Sequence, residues 1–182
     1  MTDELFTAID IGKEARNALI DVQRRLQQNM DPAEIRDQME NPLDFHITLR
    51  YLGTKLNEKD VVTRLQKVRF LPFELETAAL GMFLNTNSPV IWSGVQGDIE
   101  KLRVLQADVD HVFDIHDRIG YTPHITLAYF NYPIASLQKA VSSVPVQIPV
   151  KSFGLYRILK SEAAPKFEKI HEFPAAEMEE TK

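Results

Sequence analysis

His46-Ile47-Thr48-Leu49 recurs as His124-Ile125-Thr126-Leu127, and a tyrosine follows each copy two residues later, Tyr51 and Tyr129. In an extended strand successive side chains alternate between faces. His46 and Thr48 therefore share one face, as do His124 and Thr126, while the Ile and Leu of each copy take the other. An imidazole beside a hydroxyl on a rigid strand is a chemical unit, and the chain carries it twice. Two such strands set against each other would place two imidazoles and two hydroxyls around one cavity. A lone histidine in an apolar strand is ordinarily structural; duplication with matched flanks lifts this pair above that reading.

Outward from the repeats, apolar spacing gives the coarse order of elements. Leu5 to Ile11 predicts a strand ended by Gly12, and Glu14 to Gln28 a helix with Ala15, Ala18, Leu19, Val22 and Leu26 inward. Asp31-Pro32-Ala33-Glu34 opens a short helix or loop reaching Met39. Asp44 to Leu52 is the first repeat strand, closed by Gly53, and Asn57 starts a helix. Strands follow over Pro72–Phe83 and Val90–Val95, with a turn over 85–89 between them. Asp98 is expected to cap a helix running to His111, a polar loop to reach Thr122, and Pro123–Phe130 to form the second repeat strand. A helix over Pro133–Val141, strands over 146–150, 153–159 and 167–173, and a frayed acidic tail over 175–182 complete the chain. The two halves resemble each other, and with no linker between them they are expected to pack together as lobes. The join between the halves is expected near Phe83 to Val90.

Composition narrows the function classes. The 182 residues suffice for a sizeable core. There are no cysteines, so neither disulfides nor thiolate metal sites contribute, which suits a reducing cytoplasm. The acidic start lacks a signal-peptide pattern, and no run of about 18 apolar residues occurs, so no membrane span is expected. The net charge of −5 speaks against coating nucleic acid through many phosphates and favours a grip on an end or a single phosphate. No apolar stripe demands a partner, so a monomer is expected.

The repeat suits phosphodiester chemistry. Cleavage needs a base for the attacking water, an acid for the leaving oxygen, and donors on the non-bridging oxygens where charge grows. Histidine performs both proton transfers near neutral pH. The hydroxyls of Thr48 and Thr126 can serve as donors. Four side chains thus cover every role without a metal or cofactor.

The paired His-x-Thr-x strands resemble the 2H phosphoesterase superfamily, and their setting resembles its RNA 2′,3′-cyclic phosphodiesterases, also described as 2′-5′ RNA ligases. The resemblance extends to Phe6–Ile11, His46–Gly53, Val90–Val95 with Trp92, Tyr121–Ala128, Phe153–Tyr156 and Lys166–Phe173. It implies an α+β fold, residues 1–182 as a single domain of two interleaved, pseudo-two-fold-related lobes, each a mainly antiparallel sheet with outer helices, around a central cleft. It further implies hydrolysis of RNA 2′,3′-cyclic phosphate ends to 2′-phosphomonoesters, with His46 as proton donor and His124 as proton acceptor. Family members often carry Arg where this chain has Tyr129. Arg50, which shares strand parity with His46 and Thr48, and Arg157 are the substitutes considered for substrate binding.

Other readings remain open at the level of sequence. The same site would act on small cyclic nucleotides or ADP-ribose cyclic phosphate, or join RNA ends 2′-5′. A non-catalytic RNA or nucleotide binder has no need of an acid and a base. His111 and His116 flank Asp108, Asp110, Asp114 and Asp117, a grouping read as a solvated helix end and loop rather than a metal site, and His171 has no partner. Trp92 and Tyr156 would either stack on a base or pack in the core.

Overall fold

The computed structural model describes residues 4–29, 39–84, 90–116, 120–129, 145–159 and 166–177. Eight strands and three helices are assigned among them: β1 (Glu4–Asp10), α1 (Gly12–Asn29), β2 (His46–Gly53), α2 (Glu58–Leu65), β3 (Phe73–Phe83), β4 (Val90–Gly97), α3 (Ile99–His111), β5 (His124–Tyr129), β6 (Gln147–Val150), β7 (Ser152–Leu159) and β8 (Lys166–Pro174). The expected short helix or loop from Asp31 as far as residue 38, the expected helix over 133–141, the turn at 85–89 and most of the acidic tail lie outside the described residues. Met39, the expected end of the first of these, forms an isolated antiparallel bridge with Ala128.

The strands form two four-stranded antiparallel sheets, ordered β2-β1-β7-β8 and β5-β4-β3-β6. Each repeat strand is an edge strand, paired with the strand that precedes it through a crossover helix. The unit β1-α1-β2 thus matches β4-α3-β5, β7 matches β3, and β8 matches β6. This is an α+β fold of two pseudo-symmetric halves. The join differs from the sequence expectation: Phe83 and Val90 are partners in one sheet, not the seam between sheets. The first sheet instead takes both ends of the chain and the second its middle, because β7 and β8 return to complete the sheet that β1 began.

Both sheets share a hydrophobic core. Ile47 and Leu49 from the first repeat and Ile125 and Leu127 from the second are buried together with Leu19 and Leu26 of α1 and Leu102, Leu105 and Val109 of α3. Each fully buried aliphatic side chain contributes roughly 1.5–3 kcal/mol, so the apolar half of each repeat binds the sheets to the helices. α1 runs beside β5 and β6, and α3 beside β2. Each crossover helix therefore leans on the opposite sheet and ties the halves together.

Local departures from pattern have identifiable causes. Asp44 and Phe45 do not extend the strand: Pro42–Asp44 form a 3-10 turn, with the Asn41 side chain accepting from the Leu43 N–H. Asp98 precedes α3 but makes no side-chain cap. Its carboxylate accepts instead from the Glu74 N–H at 3.3 Å and Lys101 at 3.0 Å. Gly81 sits beneath the Trp92 ring, where an added Cβ would stand 2.2 Å from the indole. No helix among the described residues is long and apolar enough to cross a membrane.

Candidate active site

The two repeat strands bound one cleft of about 430 Å³, whose walls include His46, Thr48, Tyr51, His124, Thr126 and Tyr129. A shared irregularity puts them there. In β2, Thr48 pairs with Ala8 and Arg50 with Thr7, so Leu49 is an extra residue; in β5, Thr126 pairs with Trp92 and Ala128 with Ile91, so Leu127 is extra. A β-bulge of this kind shifts the alternation of faces by one residue. The tyrosine two places after each Leu therefore joins the His and Thr on the cleft wall. Sequence alternation also placed Arg50 there, and Arg50 does border the cleft, although the bulge puts it out of step with His46 and Thr48.

A bulge also leaves backbone groups without ladder partners, and buried ones must be satisfied elsewhere. The Leu127 carbonyl accepts from the Glu40 N–H at 3.0 Å and from the buried Gln23 side chain at 2.8 Å. The Thr48 carbonyl accepts from the Tyr121 hydroxyl at 2.9 Å. That bond joins the approach to β5 directly to β2. Burial raises the Tyr121 phenol, so it stays a neutral donor.

Each imidazole is oriented in the same way. His46 Nδ1 lies 2.5 Å from the Asp44 carbonyl, and His124 Nδ1 2.8 Å from the Thr122 carbonyl. A carbonyl only accepts, so Nδ1 carries the hydrogen in both rings and Nε2 is the nitrogen left for chemistry. His46 Nε2 stands 3.0 Å from the Thr48 hydroxyl. Each ring also meets a phenylalanine edge-on, Phe167 at His46 (86°) and Phe83 at His124 (88°). Burial lowers both histidines below the ordinary 6.5, and the charge of His124 lowers His46 further. The Asp44 and Thr122 carbonyls oppose this by favouring the protonated rings.

The other expected residues fall differently. Arg50 lines the cleft, but its guanidinium makes a two-point contact with Asp110 of α3, which Gln106 also donates to. Asp110 is thus no member of a solvated acidic end; its side chain is 15% exposed and engaged. Arg157 does not line this cleft. It lies by Leu5 and the 54–58 loop, held by Glu58 and Glu168. Trp92 packs on Phe83 and tilts against His124, and Tyr156 stacks on Phe6. Among the described residues no three His, Cys, Asp or Glu side chains converge as a metal's ligands.

Glu40, like Phe83, Tyr121 and Phe167, lines the cleft without having stood out in the sequence. It follows an ambiguous polar segment, and only its pairing beside the bulge brings it to the wall. Tyr129 donates to its carboxylate, and burial pushes it up to about 7, with Asp44 adding to the rise.

A family model described as the 2′-5′ RNA ligase superfamily matches residues 18–162 of the chain. Solved structures share the fold. Escherichia coli LigT complexed with 3′-AMP superposes with a TM-score of 0.72 at 20% identity, covering 96% of this chain and 99% of LigT. LigT complexed with ATP gives 0.73 at 22%, covering 96% and 98%. TT0787 of Thermus thermophilus gives 0.70 at 24%, covering 94% and 97%. No curated protein sequence matches the chain.

Proposed function

The chain belongs to the 2′-5′ RNA ligase superfamily, and from that premise we propose that it hydrolyses 2′,3′-cyclic phosphate ends of RNA to 2′-phosphomonoesters. The observation that carries this reading is the pair of imidazoles on opposite sheets, each with Nδ1 fixed by a backbone carbonyl, lining one cleft. Catalysis by an acid and a base requires two such groups in opposite protonation states.

In the proposed reaction His124 Nε2 takes a proton from water as the water oxygen attacks phosphorus. The P–O3′ bond breaks opposite the attack, and protonated His46 gives its Nε2 proton to the departing 3′-oxygen. The products are a 2′-phosphomonoester and a 3′-hydroxyl, and solvent restores both rings. Charge gathering on the non-bridging oxygens is met by the Thr48 and Thr126 hydroxyls, donors already oriented by the strands. The Asp44 and Thr122 carbonyls stabilise whichever ring is charged. Both proton transfers come from side chains, so the scheme requires no metal ion. Replacing water by the 5′-hydroxyl of another RNA converts the same path, run in the ring-opening direction, into 2′-5′ joining.

The complexes of LigT with 3′-AMP and with ATP are consistent with a nucleotide-bearing ligand for this cleft too. The test is incubation of cyclic-phosphate-terminated RNA with the protein and a chelator, reading the position of the product phosphate. A 2′-phosphate is expected. A 3′-phosphate, or turnover that survives both His46→Ala and His124→Ala, would overturn the scheme.

A further inference from the structure

A carboxyl group is an unexpected wall for a phosphate site, and Glu40 is built into this one. Its N–H donates to the Leu127 carbonyl, its own carbonyl accepts from Gln23 at 2.8 Å, and the preceding Met39 bridges to Ala128. Its carboxylate takes the Tyr129 hydroxyl. The wall continues to the chemistry: Tyr51, next to Glu40, hydrogen-bonds Thr48, whose hydroxyl meets His46. Among the described residues the lining holds one permanent cation, Arg50, and Asp110 balances its charge. The described cleft therefore offers hydroxyls, imidazoles and an acid rather than excess positive charge.

We propose that Glu40 sorts ligands by charge, admitting a singly charged phosphodiester and disfavouring the doubly charged phosphomonoester that its hydrolysis produces. The inference rests on the phosphodiester reading of the site. A phosphomonoester with a second pKa of about 6 is nearly a dianion at pH 8. Glu40 is ionised at that pH too, since burial, opposed by Tyr129 and Asn41 and aided by Asp44, raises it only to about 7. The additional phosphate charge then meets a carboxylate across a partly buried cleft, where interactions are screened less than at the surface. Product leaves faster than it would from a cationic pocket, and the cleft resists phosphomonoesters in general.

The test is calorimetric binding at pH 8 of 2′-AMP, a dianion, and adenosine 2′-methylphosphate, its singly charged ester. Glu40→Gln keeps the side chain's shape and an oxygen for Tyr129 while removing the charge. It is expected to tighten 2′-AMP about tenfold and the ester by less than about threefold. Glu40→Asp retains the charge and is expected to keep the wild-type ratio of the two affinities. An unchanged ratio in Glu40→Gln, or equal tightening of both ligands, would overturn the selector. Binding of neither ligand by the wild-type protein would overturn both the selector and the phosphodiester reading. Absence of turnover on cyclic-phosphate RNA, with the ratio shifted as expected, would break the proposed reaction alone.

Discussion

The two repeat strands are alike in four residues and in their bulge, yet their surroundings diverge. In β2 the residue after the bulged Leu49 is Arg50, bound to Asp110 of α3, and the Thr48 hydroxyl engages His46. In β5 the corresponding residue is the buried Ala128, bridged by Met39, and the polar neighbour is Glu40 against Tyr129. The shared part delivers a His, a Thr and a Tyr to the cleft from each side. The unshared part sets the charge around them, an ion pair near one strand and a raised carboxyl near the other. Duplicated strand chemistry can therefore serve unequal roles, because the environment of each copy comes from elements the repeat does not include.

The sharpest way to break the comparison is to remove one imidazole at a time. His46→Ala and His124→Ala are each expected to lower kcat on a cyclic phosphate by about 10²–10⁴-fold. The double variant is expected to lose little more, since the rings act as a unit. Markedly unequal single losses, read by steady-state kinetics, would show that one copy dominates.

Removing the hydroxyls comes next. Thr48→Val and Thr126→Val are each expected to cost on the order of 10²-fold in kcat if the hydroxyl meets the developing oxyanion. A smaller loss at Thr48 would mean that its contact with His46, rather than with phosphate, is its main part.

The pH profile tests whether the two rings titrate as the burial of each requires. Both lie below 6.5 in the folded protein, so kcat/KM is expected to be bell-shaped with its centre on the acid side of 6.5. The same shifts bear on stability, with the sign set by proton uptake on unfolding. Depressed histidines bind protons more readily in the unfolded chain, so their contribution is complete above about 6.5 and declines as pH falls through the folded values. Glu40 acts in the opposite sense, its contribution declining as pH rises from 4.5 through about 7. Denaturant midpoints across this range, compared with those of Glu40→Gln, read the two trends.

The smallest expected effects concern the unshared surroundings. Asp110→Ala leaves the guanidinium of Arg50, 20% exposed, without that carboxylate, and is expected to destabilise by about 2 kcal/mol by chemical denaturation. Gly81→Ala forces the Trp92 ring aside and is expected to cost about 1–3 kcal/mol. Because Trp92 adjoins His124 and not His46, a change in the His124 NMR signals alone would locate the disturbance in one half.

Most elements followed from local patterns. The α1 spacing, the Asn57 cap of α2 and the β3 alternation rest on interactions within a few residues, which composition and order reveal. The seam between the sheets did not follow from them, because the return of β7 and β8 to β1 is a long-range pairing with no local signature. The engagement of Arg50 by Asp110 and the arrival of Glu40 on the wall were illegible for a related reason. A single bulged residue reverses facing beyond it, and its freed carbonyl recruits a segment whose own residues announce nothing.

The sequence by itself determined that two histidines and two threonines would stand on paired strand faces, since a period of two and the burial of Ile and Leu leave no other side for them. Tertiary structure alone decided that these faces share one cleft, that Arg50 spends its charge on Asp110, and that Glu40 joins the wall. Each of those outcomes depends on groups distant along the chain meeting across the two sheets, where backbone satisfaction and burial, not neighbouring residues, select the partner.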